Sequence, residues 1–141
     1  MPATVDISLL GDKRLQRKLE RLVVAAQKRV IRSALRKGGH ILRDEAKALC
    51  PVRTGALRKS IKVRAIKGKR ATIGVVVASG TREELGLKAA DYYYPAAVEF
   101  GTGNAPAHSF LRAARDAKRD EVIEVIKREI GEGITREARR G

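Results

Sequence analysis

Apolar residues recur along this chain with two periods. Val5, Ile7 and Leu9 alternate with polar positions, which predicts a short strand. From Leu15 the spacing changes to three and four, through Leu19, Leu22, Ala26, Val30, Ala34, Leu35, Ile41 or Leu42, Glu45 or Ala46, and Leu49. That stripe predicts one long amphipathic helix, or two in tandem, with Asp12 as N-cap. Gly38-Gly39 is its weakest point, where a kink or break costs least. Pro51 ends it, because the residue before a proline avoids helical geometry.

A new element begins at Arg53-Thr54-Gly55. Thr54 can cap a short turn of helix reaching Ser60, and Gly55 tolerates backbone angles closed to other residues. Ile61, Val63 and Ala65 alternate with Lys62 and Arg64, a strand with one basic face. Lys67-Gly68-Lys69-Arg70 is the turn, and Ala71 to Ser79 returns as a nearly all-apolar strand, central and buried. Gly80 to Asp91 is a polar excursion that the core does not need. Pro95 suits the first turn of a short helix ending at Phe100, closed by Gly101 in a left-handed conformation. Ser109 can cap a last helix whose stripe runs from Phe110 and Leu111 to Ile130. Gly131 and Gly133 end that helix. The expected fold class is α+β: long N-terminal and C-terminal helices on one face of a small antiparallel sheet. Residues 1–141 are read as one domain, ordered over about 5–131 with a frayed tail at 132–141.

Charge changes this picture. The chain carries a formal +15. Residues 1–70 hold 20 basic and 5 acidic side chains, and residues 71–141 hold 11 of each, so the excess lies in the first half. Such a field suits a polyanionic partner, either nucleic acid or an acidic protein surface. A solvated basic face is the plainer reading. Lys62, Arg64, Lys67, Lys69 and Arg70 place five cations in nine positions without one acid. They are the candidate basic interface.

Candidate chemistry is sparse. There is no Gly-rich phosphate loop, and His40 and His108 have no ligand-spaced partner, so neither a cofactor nor a metal is expected. Cys50, the one cysteine, cannot form an internal bridge and reads as a packing residue in a reducing cytosol. Glu99 stands between Val98 and Phe100. It is either a raised-pKa acid or, more in keeping with this arginine-rich chain, an Arg partner inside the fold or an interface. Tyr92-Tyr93-Tyr94 could stack on bases, but consecutive residues cannot share a face, so core or interface packing is preferred. No apolar run approaches a membrane span and no signal peptide is expected from MPATVDISLL.

Two blocks carry a resemblance. One is Ala48-Leu-Cys-Pro-Val-Arg-Thr-Gly-Ala-Leu-Arg-Lys-Ser-Ile61. The other is Tyr94-Pro-Ala-Ala-Val-Glu-Phe-Gly-Thr102 followed by Ser109-Phe-Leu-Arg-Ala-Ala114. Their order and spacing resemble the small tail-component family of long-tailed phages and prophages, also called tail-completion, head–tail joining or minor tail proteins. Ser109 departs from the family, whose members usually carry proline before the Phe-Leu pair. The resemblance implies fold-building roles for Pro51, Arg53, Thr54, Gly55, Leu57, Ile61, Val98, Glu99, Phe100, Gly101, Thr102, Phe110 and Leu111. It implies a non-enzymatic structural subunit of the neck or tail-completion region, a homo-oligomer forming a ring that is commonly sixfold. Neighbouring neck or tail proteins and DNA in the channel would be its partners, with no membrane and no small-molecule substrate. Its place would be the virion, after assembly in the host cytoplasm. A general nucleic-acid-binding protein is the alternative. A small hydrolase built on Glu99 or Cys50 is the third reading.

Overall fold

The computed structural model describes residues 4–5, 12–66 and 73–140. Its elements are β1 (Thr4–Val5), α1 (Lys13–Glu20), α2 (Val24–Leu49), α3 (Ala56–Ser60), β2 (Lys62–Ala65), β3 (Val75–Ala78), α4 (Pro95–Phe100) and α5 (Leu111–Arg140). The sheet is antiparallel, in the order β1-β3-β2. Val63 pairs with Val77 in one ladder and Val5 with Val77 in the other, so β3 is central. The hairpin turn, with Lys67, Lys69 and Arg70, lies outside the described residues, as do Ile7 and Leu9. The architecture is α+β, with the long helices against the small sheet.

The N-terminal stripe forms two helices, and the break falls at Arg21–Val23, away from the glycine pair. Asp12 caps α1, its Oδ1 accepting from Leu15 N–H at 3.1 Å. At the other end Gln27 Nε2 donates to the Leu22 carbonyl at 2.6 Å, satisfying a group that the break would leave open. Val23 is extended there, with ψ 150°. Two consecutive β-branched residues, Val23 and Val24, make this the easier place to leave helical geometry.

Gly38 and Gly39 do the reverse of breaking α2. A Cβ on Gly38 would stand 2.7 Å from Ile126 of α5, and one on Gly39 would stand 2.8 Å from Val63 of β2. The pair lets α2 approach α5 on one side and the sheet on the other. Gly133 works likewise on α5, where a Cβ would meet Val30 at 2.9 Å. The expected stop at Gly131 and the frayed tail after it are therefore corrected: α5 runs unbroken to Arg140. Ile134 packs on the core, and Arg29 holds Glu137 through two hydrogen bonds of 3.1 and 3.0 Å. Lys37 meets Glu129 at 2.7 Å further along the same seam. The two ion pairs set the antiparallel register of α2 and α5.

The excursion is also corrected. Leu85 is buried in the core, so Gly80–Asp91 is not a dispensable loop. Tyr93 Oη donates to the Gly80 carbonyl at 2.7 Å, and Ser60 Oγ accepts from Gly80 N–H at 3.0 Å.

Close approach at Gly38 gives a paired test. Gly38→Ala should destabilise the protein by about 1–3 kcal/mol through overpacking. Gly131→Ala, with nothing within 4 Å of the new Cβ, should stabilise it by about 0.5–1 kcal/mol as a helix-interior replacement. Urea midpoints at constant m-value would check both signs.

Candidate functional site

The densest polar constellation is built by two short sequence segments, Val98–Thr102 and Ser109–Arg112. Pro95 starts α4, and one turn later Glu99 points inward, with 0% of its surface exposed. The chain must then double back. Gly101 takes φ 76° and ψ 174°, a conformation essentially restricted to glycine, and a Cβ there would meet the Ala107 backbone nitrogen at 2.8 Å. It closes α4 with positive φ but outside the left-handed helical region expected of it. Thr102 bridges to Ala105, its Oγ1 accepting from Ala105 N–H at 3.1 Å. His108 N–H donates to the Val98 carbonyl at 2.8 Å, which brings the two segments side by side.

This turn delivers the Glu99 carboxylate to the start of α5. Oε2 accepts from the N–H groups of Phe110 at 2.8 Å and Leu111 at 2.9 Å. Oε1 accepts from Arg112 N–H at 2.9 Å, Arg112 Nε at 3.0 Å and Ser109 Oγ at 3.2 Å. Arg112 also donates from Nη2 to the Glu99 carbonyl at 2.7 Å. A helix start leaves its first N–H groups without intrahelical partners and carries partial positive charge. Glu99 answers both needs from another helix. Ser109 is thus not the cap expected from the sequence; it is a donor to the residue that caps.

Burial alone raises the Glu99 pKa. The N–H groups of Leu111, Arg112 and Phe110 and the Arg112 side chain outweigh it, leaving the carboxyl below its ordinary value. Five donors hold it ionised, so it is not the raised-pKa acid that a hydrolase would use. Cys50 is no better suited to catalysis. It is buried, and its thiol is pushed up to about 11, first by burial, against a lowering by Arg58 and with a small raising by Glu99. Among the described residues no group of three or more His, Cys, Asp or Glu could hold a metal. An apolar crevice lined by Leu42, Ala46, Val77, Leu111 and Ala114 has no room for water.

The other candidate residues divide. Phe110, Leu111, Leu57 and Ile61 are buried in the core cluster. Val98 is half-buried, and Phe100, given a fold-building role by the resemblance, is 55% exposed. The helical turn explains it: Glu99 takes the inward position, and Phe100, rotated about 100° from it on α4, lies 4.6 Å beneath the Arg112 guanidinium. Gly55 has φ 83°, and Thr54 Oγ1 accepts from Ala56 N–H at 3.3 Å at the start of α3. Pro51 and Arg53 are exposed beside the end of α2. Tyr92 is exposed, while Tyr93 and Tyr94 are half-buried. Lys62 and Arg64 do share a face, but both pair with Glu84 of the excursion, Lys62 at 3.6 Å. The basic hairpin face is therefore partly neutralised. The roles of Glu84 and Ser60 had no signal in the sequence. An Arg partner for Glu99 was expected, and the structure identifies it as Arg112.

The family model described as "Bacteriophage HK97-gp10, putative tail-component" matches residues 13–101, from α1 to the end of the Glu99 turn. No curated protein and no solved structure matches the chain.

The cap makes a signed pH prediction. Because the folded pKa of Glu99 is depressed, its contribution is fully present above the unfolded value of about 4.3 and is lost as pH falls through the folded value. Glu99→Ala should cost about 3–5 kcal/mol at neutral pH, as for removing one member of a buried pair. Glu99→Gln should narrow its stability gap to wild type as pH drops from 7 towards 3. A gap that widened in acid would contradict the depressed pKa.

Proposed function

The chain belongs to the HK97-gp10-like family of bacteriophage tail components, and from that premise we propose that it is a ring-forming structural subunit of the neck or tail-completion region. It acts by assembly, without turnover, at the head–tail junction or the head-proximal end of the tail. The observation that carries this reading is the use to which the family's motif residues are put. Glu99, the one buried carboxylate in the motif blocks, is saturated by the N-terminus of α5 and Arg112. The motif builds a rigid corner, and a rigid corner is what a subunit needs to present fixed surfaces to different neighbours. Ring closure requires such heterologous contacts, one face of each copy against a different face of the next. The excursion between Gly80 and Asp91 suits that work because its core anchor, Leu85, fixes its otherwise exposed polar residues. In the virion the subunit would contact neighbouring neck or tail proteins.

Removing the subunit during phage growth should yield separate heads and tails, counted by electron microscopy, and adding back the folded full-length protein should join them. Native mass spectrometry of the joined complex should give six copies per particle. Normal particles formed without the protein would overturn the assembly role, and a single copy per particle would overturn the ring.

A further inference from the structure

We propose that the outer face of α2 binds the phosphodiester backbone of duplex nucleic acid, through Lys28, Arg32 and Arg36, without reading base sequence. Between positions 28 and 37, six residues are exposed: Lys28, Arg29, Arg32, Ser33, Arg36 and Lys37. Five are cations and the sixth is a hydroxyl donor. None is acidic and none is apolar. Two of the five are committed to α5, Arg29 to Glu137 and Lys37 to Glu129. They hold the helix in place. Lys28, Arg32 and Arg36 make no ion pair among the described residues.

Their spacing is what gives the surface its fit. Residues four apart form one ridge along a helix. Three cations on that ridge span about 12 Å at roughly 1.5 Å per residue. One DNA strand carries a charge about every 3.4 Å of axis, so a row of this length faces several phosphates. The row also sits on a helix of 26 residues packed on both α5 and the sheet, so its charges are presented without ordering a loop.

Chemistry separates the candidate polyanions. Protein interfaces are depleted in charge at their centre and rely on aromatic or aliphatic anchors. This face offers neither between Lys28 and Lys37. Protein–DNA interfaces are more polar and much more positive. Single strands are held by aromatic stacking, and no aromatic residue of the Phe, Tyr or Trp type lies on α2. Among the described residues the hairpin is the weaker candidate, since Glu84 already occupies Lys62 and Arg64. This inference goes beyond the assembly role and does not depend on it.

Fluorescence anisotropy of the full chain with a mixed-sequence duplex of about 20 base pairs, longer than the dozen ångströms of the cation row, tests it at several salt concentrations. Wild type should bind AT-rich and GC-rich duplexes alike, with affinity falling steeply with salt. Lys28→Gln, Arg32→Gln and Arg36→Gln together should reduce the slope of log K against log salt by about 2.7, near 0.9 for each phosphate no longer neutralised. Each single variant should reduce it by about 0.9, which preserves the test if the triple variant does not fold. Lys62→Gln with Arg64→Gln should leave the slope unchanged, and Lys28→Arg, Arg32→Lys, Arg36→Lys should retain it. An unchanged slope in the glutamine variants would overturn the proposal. So would tighter binding of polyglutamate than of duplex at equal salt, which would point to an acidic protein instead.

Discussion

A 30-residue helix that begins inside a packed protein must find acceptors for its first N–H groups, because water cannot reach them. Here one carboxylate does so for three consecutive amides, Phe110, Leu111 and Arg112. The rest of the structure follows from that interaction. It fixes where α5 starts, and so seats Phe110 and Leu111 in the core. It demands that α4 and the loop after it fold back, which Gly101 permits. It also explains why a buried charge is tolerated: both carboxylate oxygens have donors, and the helix dipole favours the anion. An apolar residue at this position would leave three N–H groups without partners, each costing about 1–3 kcal/mol where buried.

The second constraint is separation between layers. α2 packs on both α5 and the sheet, and its closest approaches occur where side chains are missing. Gly38 accepts Ile126, Gly39 accepts Val63, and Gly133 of α5 accepts Val30. Apolar packing at the centre of this seam is flanked by the Arg29–Glu137 and Lys37–Glu129 pairs at its edge. In each pair the carboxylate is largely covered while the cation stays half-exposed, so solvent screening keeps the contribution to stability modest. Their consequence is register, and they leave the outer row of α2 cations free.

How much of this was legible in the sequence depended on the range of each interaction. Helix stripes and the hairpin pairing are local, and their presence read correctly from spacing, although α5 runs further and β3 is shorter than expected. Gly55 and Gly101 were recognisable because each follows or precedes an obvious element boundary. Gly38-Gly39 and Gly131 were misread because a glycine in a helical pattern signals a break and a close approach equally well; only the facing helix decides. The outward position of Phe100 is not legible from its apolar character, because Glu99 beside it takes the inward one. Ser109 has the local signature of a cap, and the true cap comes from ten residues upstream through a turn that sequence alone does not close. The basic hairpin face looked unopposed because Glu84 lies 20 residues beyond Arg64. The motif blocks were visible as a pattern, but the bond that makes them one site was not.

For a tail component, this economy has a consequence. The ionisable groups within the fold are spent on holding helices, and the surplus charge is left outside. The ionised state of Glu99 is the central requirement. The most direct measurement is an NMR titration of its side-chain carboxyl carbon in the folded, isotopically labelled protein. The expected result is a midpoint below the ordinary glutamate range, with the amide shifts of Phe110, Leu111 and Arg112 moving at the same pH. A midpoint raised towards neutrality, or amides indifferent to the titration, would contradict it.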